Sequence, residues 1–395
     1  MALRMPVVWS DLHRLHEPGG EIWVGVRTPG TEVAERAEVI RETLLAAGAA
    51  VAPAVGHDAA AVLAVHSREL LDFLATAWAE WAAAGLPDDP GQDRVAPYVF
   101  PVEGLVPGGE PLVPAATWAR TGFFCFDTMT LIGPGTWEAA RAAADVALTA
   151  VDLAVGAESC RFCSDRSTPV PSGHDSGTVP SSAESVPSSP QAVGGTVGAA
   201  YACCRPPGHH ATRSLYGGSC YLNNAAIAAQ HFREHGAERV ALVDIDAHHG
   251  NGAESVFWER GDVFTASVHV DPATGWFPHF LGLAHERGSG EGTGANLNLP
   301  LPPGSGDDLW LAGVREAVRT ARNHGVEALV VALGVDAAAV DRESPLQVTA
   351  GGYREAGRVL GGCRLPTVVV QEGGYDLAAI GGLVLATLEG IEEAR

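Results

Sequence analysis

Four short runs of apolar, mostly β-branched residues stand out in the second half of the chain, and none alternates between apolar and polar positions. They are Arg239–Ile245, Val263–Val270, Ala328–Val335 and Thr367–Val370. Runs without alternation are typical of parallel strands that are covered on both faces, because both sets of side chains are then buried. We therefore predict buried parallel strands at these four positions.

Stretches between and before these runs are amphipathic or rich in Ala, which is the pattern of helices. The predicted helices are Glu32–Ala47, Ser67–Ala84, Thr136–Val155, Asn223–His235, Leu309–His324 and Tyr353–Gly361. Strands that alternate with helices favour an α/β fold. The prediction is a single open, doubly wound parallel sheet with helices on both faces.

One segment, Gly156–Thr196, departs from this pattern because it is rich in Ser, Pro and Gly and nearly free of large apolar residues. We interpret it as a low-complexity surface insertion (156–196) within one catalytic domain that spans residues 1–395. It contains Cys160 and Cys163 in a C-x-x-C arrangement, with His174 nearby. A zinc knuckle needs a second ligand pair, and none is evident, so a flexible loop is the preferred interpretation.

Composition narrows the class of function. The 395 residues are 46% hydrophobic, which permits a large core and excludes global disorder. The formal net charge of −22 repels phosphate backbones, so no nucleic-acid partner is expected. The seven Cys lack a framework spacing, which fits a reducing, cytoplasmic location. Neither a secretory signal nor a membrane-spanning segment is predicted, because the chain lacks a suitable apolar stretch.

The strongest local motif is D-I-D-A-H-H-G-N-G at Asp244–Gly252, directly after the first predicted strand. Asp246 and His248 can both turn toward one ion there, at the end of a strand where ligand sites gather in open α/β sheets. Asp336 follows another predicted strand and supplies a third ligand. Three protein ligands with open positions are what a catalytic zinc site requires. The alternative is a polar loop with capping Asp residues.

Two further motifs carry groups suited to acid–base chemistry. The segment Arg205–Ala211, R-P-P-G-H-H-A, places His209 and His210 at a loop tip, where they suit proton transfer near neutral pH. The segment Gly373–Asp376 places Tyr375 after the last predicted strand, where its hydroxyl suits hydrogen bonding to an oxyanion. A solvated His pair and a core tyrosine are the respective alternatives.

In combination these motifs resemble the histone-deacetylase-like branch of the arginase/deacetylase superfamily. The stretches that carry the resemblance are R-P-P-G-H-H-A, G-G-S-C-Y-L-N-N-A-A, D-I-D-A-H-H-G-N-G and E-G-G-Y. Three more, His13–Glu38, Gly133–Glu138 and Phe277–Gly282, are similar to bacterial acetylpolyamine amidohydrolases. The resemblance implies the arginase/deacetylase fold over nearly the whole chain and a zinc-dependent deacetylase activity.

The arginase side of the superfamily is disfavoured by two positions. Arginase-like enzymes bind two manganese ions, and two Asp ligands of the second ion would stand where this chain has Gly250 and Ala338. One zinc per chain and amide hydrolysis are therefore expected. A catalytically weak acyl-lysine-binding module on the same fold is the remaining rival, and Tyr375, His209 and His210 argue against it.

The resemblance also assigns roles to individual residues. It implies zinc on Asp246, His248 and Asp336, a general base at His210 assisted by His209, Asp244 and Asn251 holding the two imidazoles, an oxyanion donor at Tyr375, and a potassium ion near Asp244, Asp246, His248, Ser267 and Val268. These assignments come from the family's motifs and not from spacing.

The same resemblance places Gly218 and Ser219 at the rim of an acyl-lysine tunnel, with Phe277 as the opposite wall. Relatives usually carry an aromatic residue where Ser219 stands. We therefore expect a wider and wetter tunnel, unless a neighbour such as Trp276 fills the gap.

Two residues give opposite indications about a polyamine substrate. Glu21 matches an acidic residue near the mouth of the polyamine enzymes, whereas Trp118 stands where they have a substrate-facing glutamate. An acetylpolyamine, acetyl-lysine in a protein or a small acetylated metabolite all remain open as substrates.

The loop His16–Gly30 resembles one that joins two subunits, and its Ile22 and Trp23 offer apolar surface, so a homodimer is expected.

Overall fold

The structure is a computed structural model that describes the chain except Met1, residue 103, residues 105–110 and residues 157–197. The predicted insertion, with Cys160, Cys163 and His174, therefore lies outside the described residues apart from Gly156.

Among the described residues the strands are β1 (Val7–Trp9), β2 (Glu21–Trp23), β3 (Val26–Thr28), β4 (Val51–Pro53), β5 (Ala199–Ala202), β6 (Val240–Asp244), β7 (Val263–Val270), β8 (Asn296–Leu301), β9 (Ala328–Leu333) and β10 (Thr367–Gln371). Eight of them form one sheet in the order β4-β1-β5-β10-β9-β6-β7-β8, and every pairing in it is parallel. Strands β2 and β3 form a separate antiparallel hairpin.

The helices of the described chain are α1 (Ala34–Ala46), α2 (Ala59–Leu63), α3 (Arg68–Ala83), α4 (Thr117–Phe124), α5 (Thr136–Val155), α6 (Asn224–Glu234), α7 (Asn251–Phe257), α8 (Asp307–Asn323), α9 (Ala350–Gly361) and α10 (Ile380–Ala394). Polar side chains begin several of them: the Ser67, Asn223 and Thr349 side chains accept a backbone N–H in the first turn of α3, α6 and α9. In the described part of the chain, no helix combines the length and apolar character needed to cross a membrane.

The central strands bury side chains on both faces of the sheet. On β6, Val240 and Leu242 face the layer that contains α5 and α6, whereas Ala241 and Val243 face the layer that contains α1, α8, α9 and α10. Both faces are therefore apolar, which is why the run has no alternation. The predicted doubly wound α/β sheet with helices on both faces is confirmed.

The predicted elements are present with ends shifted by a few residues, and several others were missed. Strands β1 and β4 have three residues each, β5 is mostly Ala, and β8 carries Asn296 and Asn298. Such short or polar strands give little hydrophobic signal of their own, because their neighbours in the sheet stabilise them.

Candidate active site

The predicted site residues meet at the carboxyl edge of the sheet. Asp244 ends β6, and Asp246 and His248 follow it. Asp336 follows β9, Tyr375 follows β10, and His209 and His210 lie in the segment after β5. Because these strands are parallel, their carboxyl ends share one edge, and the residues that follow them are brought together there.

The side chains of Asp246, His248 and Asp336 form one compact donor set. Their ligand atoms all lie within 4.8 Å of one another. His248 Nδ1 lies 3.2 Å from Asp246 Oδ1 and 3.0 Å from Asp336 Oδ2. Burial, together with repulsion from Asp246, raises the pKa of Asp336 to about 7. Two fully buried carboxylates beside one imidazole carry a negative charge that a divalent cation would compensate, so the donor set fits a metal ion.

Backbone groups hold both carboxylates in place. The Gly373 N–H donates to Asp246 Oδ2 at 2.8 Å, and the Ala247 N–H donates to Asp336 Oδ1 at 2.9 Å. A Cβ atom at position 373 would lie 2.5 Å from a carboxylate oxygen of each Asp. Glycine is therefore required at this point, since any side chain would push into the donor set.

The histidine pair lies beside the donor set, with each ring fixed through Nδ1. His209 Nδ1 is 2.8 Å from Asp244 Oδ2, and His210 Nδ1 is 2.6 Å from Asn251 Oδ1. Burial opposes the charge of His209, but Asp244 and Asp246 outweigh it and raise the pKa of His209 to about 10. Burial and the neighbouring His209 lower the pKa of His210 well below its ordinary value. The two adjacent imidazoles therefore differ in charge.

Tyr375 lies close to the donor set and the histidine pair, and Arg36 packs against its ring. The Arg36 guanidinium carbon lies 4.6 Å from the centre of the Tyr375 ring. Its nitrogens donate to the carbonyl oxygens of Gly374 at 2.5 Å and Glu372 at 2.6 Å. Burial raises the pKa of Tyr375 well above its ordinary value, so the hydroxyl keeps its proton and can donate it in a hydrogen bond.

A buried ion network connects this arginine to the histidine segment. Glu32 Oε1 accepts from Arg36 at 2.9 Å and from Arg205 Nε at 2.8 Å, and all three side chains are almost fully buried. Burial would raise the pKa of Glu32, but Arg205, His16 and Arg36 outweigh it and hold it well below the usual range. Sequence reasoning missed Arg36. Its spacing of four residues from Glu32 at the start of a predicted helix was the available signal.

Glu372 is a second residue that sequence reasoning left without a role. Its Oε2 accepts from the backbone N–H groups of Gly208 at 2.6 Å and His209 at 3.1 Å. It therefore holds the segment that carries the histidine pair, and burial raises its pKa to about 7. The E-G-G-Y stretch contained it, but nothing in the sequence indicated its partner.

Comparison with known proteins identifies the family. Residues 31–391 match the profile of the Histone deacetylase domain. The chain belongs to the histone deacetylase family. It is 36% identical to the acetylpolyamine amidohydrolase of Mycoplana ramosa over 389 residues, which cover 98% of this chain and 99% of the relative. It is 37% identical to acetylpolyamine amidohydrolase 1 of Pseudomonas aeruginosa, with coverage of 98% and 99%.

A solved structure agrees with this assignment. The acetylpolyamine aminohydrolase of Burkholderia pseudomallei superposes with a TM-score of 0.83 at 34% identity and covers 99% of both chains. Deacetylation of acetylated amines is the activity that these similarities support. The alternative of a catalytically weak acyl-lysine-binding module is not favoured.

In this histone deacetylase family member, aromatic side chains lie beside the histidine pair. The rings of Phe277 and Phe126 are stacked, with centres 6.1 Å apart and planes at 21°. Phe277 also contacts the edge of His210, at 4.9 Å between ring centres. Gly218, which was predicted at the tunnel rim, leaves no room for a Cβ, which would lie 2.3 Å from His210 Cδ2. Sequence reasoning did not single out Phe126.

Phe126 bears on the expectation that Ser219 leaves one side of the site without an aromatic ring. Phe126 contributes an aromatic face opposite Phe277, and Trp276 instead packs against the apolar core on the α8 side of the sheet. An aromatic ring from the segment after α4 therefore faces Phe277, and the expected wider tunnel at Ser219 stays a prediction. Periodicity gives no sign of this contact, because the two residues are far apart in the chain.

Two other residues were predicted to contact the substrate. The structure places Glu21 close to Ser219, whereas Trp118 lies apart from both. Glu21 and Ser219 line one small cavity, together with His16, Glu32, Thr130 and Tyr221. Burial and the nearby Glu343 raise the pKa of Glu21. Trp118 is 42% exposed on α4, and within the described chain no hydrogen bond or ring contact joins it to these residues.

Of the residues predicted to surround potassium, Asp244 ends β6, Asp246 and His248 follow it, and Ser267 and Val268 lie within β7. Asp244 is paired with Ser267 across these strands, and Val268 follows on β7. The backbone N–H of Gly250 donates to Ser267 Oγ at 3.3 Å, which links the loop after β6 to β7.

Proposed function

We propose that the protein is a zinc-dependent amidohydrolase that removes the acetyl group from small acetylated amines. The observation that carries the proposal is the pair of oriented imidazoles directly beside an Asp–His–Asp donor set. Both are buried at the carboxyl edge of the sheet. Amide hydrolysis needs an activated carbonyl, an activated water and a proton for the leaving amine. This arrangement has groups for each task.

Asp246, His248 and Asp336 would hold the zinc ion. When bound, zinc supplies Lewis-acid polarisation of the acetyl carbonyl and acidifies water at the site. Two carboxylates and one imidazole neutralise the charge of a divalent cation while leaving coordination positions for ligands other than protein. The donor set thus matches a catalytic site rather than a closed structural one.

His210 is proposed as the general base and then the general acid. Its Nδ1–H donates to Asn251 Oδ1, which leaves the lone pair of Nε2 free to accept a proton from water. The same nitrogen then returns the proton to the leaving amine. His209, held by Asp244, adds positive charge beside it and favours the negative charge that develops on the acetyl oxygen.

Tyr375 is proposed as the hydrogen-bond donor to that oxygen. Its hydroxyl keeps its proton because burial disfavours the phenolate. Arg36 lies against the ring and binds the carbonyl groups on either side of Gly373, so it acts as a positioning residue for Tyr375.

A potassium ion is proposed beside Asp244, Asp246, His248, Ser267 and Val268. The support is the pairing of Asp244, the last residue of β6, with Ser267 on β7, since both residues carry side-chain and backbone oxygens. Oxygen ligands of this kind suit a hard cation. Such an ion would reinforce the loop that carries the zinc ligands.

Cationic acetylamines are the proposed substrate class. The net charge of −22 attracts cations, and Glu21 near the tunnel rim adds local negative charge. The names of the relatives point to acetylpolyamines, which carry several amines. Trp118 does not supply the substrate-facing charge expected of a polyamine enzyme, so Glu21 is the acidic residue that we propose for this role.

A homodimer is proposed on the basis of the β2–β3 hairpin. Trp23, Val24 and Val26 are 54%, 82% and 64% exposed there, an apolar area that a partner subunit would cover. Glu21 lies at the base of the same hairpin. A second subunit on this surface would narrow the mouth and favour thin, flexible substrates over acetyl-lysine in folded proteins.

The test is a turnover panel combined with light scattering on the purified zinc enzyme. Acetylspermidine, acetyl-lysine peptides, folded acetylated proteins and a mixed pool of acetylated metabolites would be compared. We expect a dimer that is fastest on small acetylamines. A monomer that acts on folded acetylated proteins as fast as on acetylspermidine would contradict both the assembly and the substrate class.

A further inference from the structure

A second group of metal-binding side chains lies on α5, on α6 and in the segment after β4. It consists of His57, Asp152, His231 and His235, and we call it the histidine cluster. The ligand atoms of His57, Asp152 and His231 all lie within 4.8 Å of one another. None of these residues takes part in the reaction proposed above.

Three imidazoles in the cluster present the same nitrogen to one carboxylate. Asp152 Oδ2 lies 3.0 Å from His57 Nε2, and Asp152 Oδ1 lies 2.9 Å from His231 Nε2 and 3.1 Å from His235 Nε2. The two Nε2 atoms of His231 and His235 are 3.2 Å apart. His231 and His235 are spaced by four residues, so their side chains lie one turn apart on the same face at the end of α6.

Asp152 is the common contact of the cluster. Its two carboxylate oxygens lie 3.0 Å from His57 Nε2 and 2.9 Å from His231 Nε2. A transition-metal ion binds imidazole through the lone pair of a ring nitrogen and a carboxylate through its oxygen. One ion held by His57, Asp152 and His231 would therefore replace the contacts among these three groups.

The other ring nitrogens face a second layer of carboxylates. His57 Nδ1 lies 3.5 Å from Asp145 Oδ1, and His231 Nδ1 lies 3.4 Å from Glu234 Oε2. A histidine that binds a metal usually directs its other ring N–H to a carboxylate or carbonyl, which fixes the tautomer and the ring orientation. In the histidine cluster, Asp145 and Glu234 lie on the Nδ1 side of the two rings, and Nε2 of each ring faces Asp152.

The cluster lies at the opposite edge of the sheet from the active site. Arg233, on the same turn of α6, donates to Asp262 Oδ2 at 2.7 Å, and Asp262 directly precedes β7. This end of α6 is therefore near the amino ends of the strands. The cluster side chains are 14% to 30% exposed, so an ion from solvent can reach them.

We propose that His57, Asp152 and His231 form a second binding site for Zn²⁺ or a similar transition-metal ion, with His235 beside it. Two imidazoles and one carboxylate are ligands that zinc accepts. An ion held by residues from three separate elements stabilises structure. It would join the last turn of α5, the end of α6 and the segment after β4, and the chain would hold two transition-metal ions in all.

The test counts and titrates metal in the full-length protein. In Asp246→Ala, which removes an active-site ligand, calorimetric titration with Zn²⁺ should still show one binding event per chain. Zn²⁺ should also raise the thermal unfolding temperature, because binding to the folded state stabilises it. His57→Gln and His231→Gln in the same background should lose both effects, with affinity reduced by more than about 100-fold. Asp145→Asn should weaken binding by about 10- to 100-fold.

Two controls separate the cluster from other metal-binding groups. His285→Gln changes an exposed histidine outside the cluster and should bind Zn²⁺ normally. Cys160→Ser with Cys163→Ser removes the C-x-x-C pair and should also leave binding unchanged. Single cluster variants in the otherwise native chain should keep normal deacetylase activity and circular dichroism, which verifies that they fold. No Zn²⁺ binding in Asp246→Ala, retention in the cluster variants, or loss in the Cys variant would overturn the proposal.

Discussion

Two groups of Asp and His residues lie at opposite edges of the same sheet, and they differ in how their carboxylates are held. At the carboxyl edge, Asp246 and Asp336 are fully buried and accept hydrogen bonds from backbone N–H groups. In the histidine cluster, Asp152 is 28% exposed and is contacted by imidazoles. Similar donors thus occur in a buried, backbone-fixed site and in a partly exposed, side-chain-fixed one. We infer that the first setting suits catalysis and the second suits stability.

Removing one proposed ligand from each group tests this difference most directly. His248→Ala should lose its zinc and reduce kcat/KM by roughly 10³-fold or more, since several kcal/mol of transition-state stabilisation depend on the ion. His231→Gln should keep kcat/KM within about twofold, because it lies at the other edge of the sheet. Steady-state kinetics with elemental analysis decide the matter. Equal losses of activity in the two variants would remove the distinction between the sites.

The buried ion network of Glu32, Arg36 and Arg205 gives a second test of the difference between the two groups, because it supports the carboxyl edge and not the histidine cluster. Glu32→Gln leaves the charges of Arg36 and Arg205 buried without their partner and should lower the free energy of unfolding by about 3–5 kcal/mol. The folded pKa of Glu32 lies below its ordinary 4.5. Its stabilisation is therefore present above that pH and is lost in acid, so the two proteins should converge as pH falls.

Denaturant titrations at neutral and acidic pH measure this effect, and Zn²⁺ binding at the histidine cluster of the folded variant is the control. A variant as stable as the native protein at neutral pH would mean that the network contributes nothing.

Changing the oxyanion donor tests chemistry at the carboxyl edge without changing its metal. Tyr375→Phe should reduce kcat by about 10²–10³-fold, which is the usual effect of removing one such donor. Metal content should stay at the native level, because the hydroxyl is not a ligand. Arg36→Lys should lower kcat less, since Arg36 positions the Tyr375 ring and is not itself a donor to the acetyl oxygen. A Tyr375→Phe enzyme with near-native kcat would exclude the role.

The smallest effect is expected at the tunnel wall. Phe126→Ala removes one of the two stacked rings, and an aromatic contact of about 0.5–1.5 kcal/mol corresponds to a rise in KM of roughly 2- to 10-fold. Trp118→Ala is the matched control and should leave KM unchanged. If Trp118→Ala raised KM and Phe126→Ala did not, Trp118 would be the substrate-facing residue after all.

The sequence was informative where local chemistry and position coincide. The grouping of Asp246, His248 and Asp336 could be predicted because polar side chains follow closely on buried parallel strands. The fold could be predicted because those strands lack alternation. The contact of Arg36 with Tyr375 and that of Phe126 with Phe277 could not be predicted, since each joins residues that are distant in the chain. His57 and Asp152 were missed for the same reason, although the four-residue spacing of His231 and His235 was visible.

The stacking of Phe126 on Phe277 implies a limit on the shape of any amide that enters between the two rings. Their centres are 6.1 Å apart, so a flat acetamide on a slender methylene chain would fit there better than a thicker group. A tertiary amide carries a second substituent on nitrogen and is thicker at that atom. N-methylated acetylamines and branched acyl groups would therefore be rejected by geometry, whatever their charge.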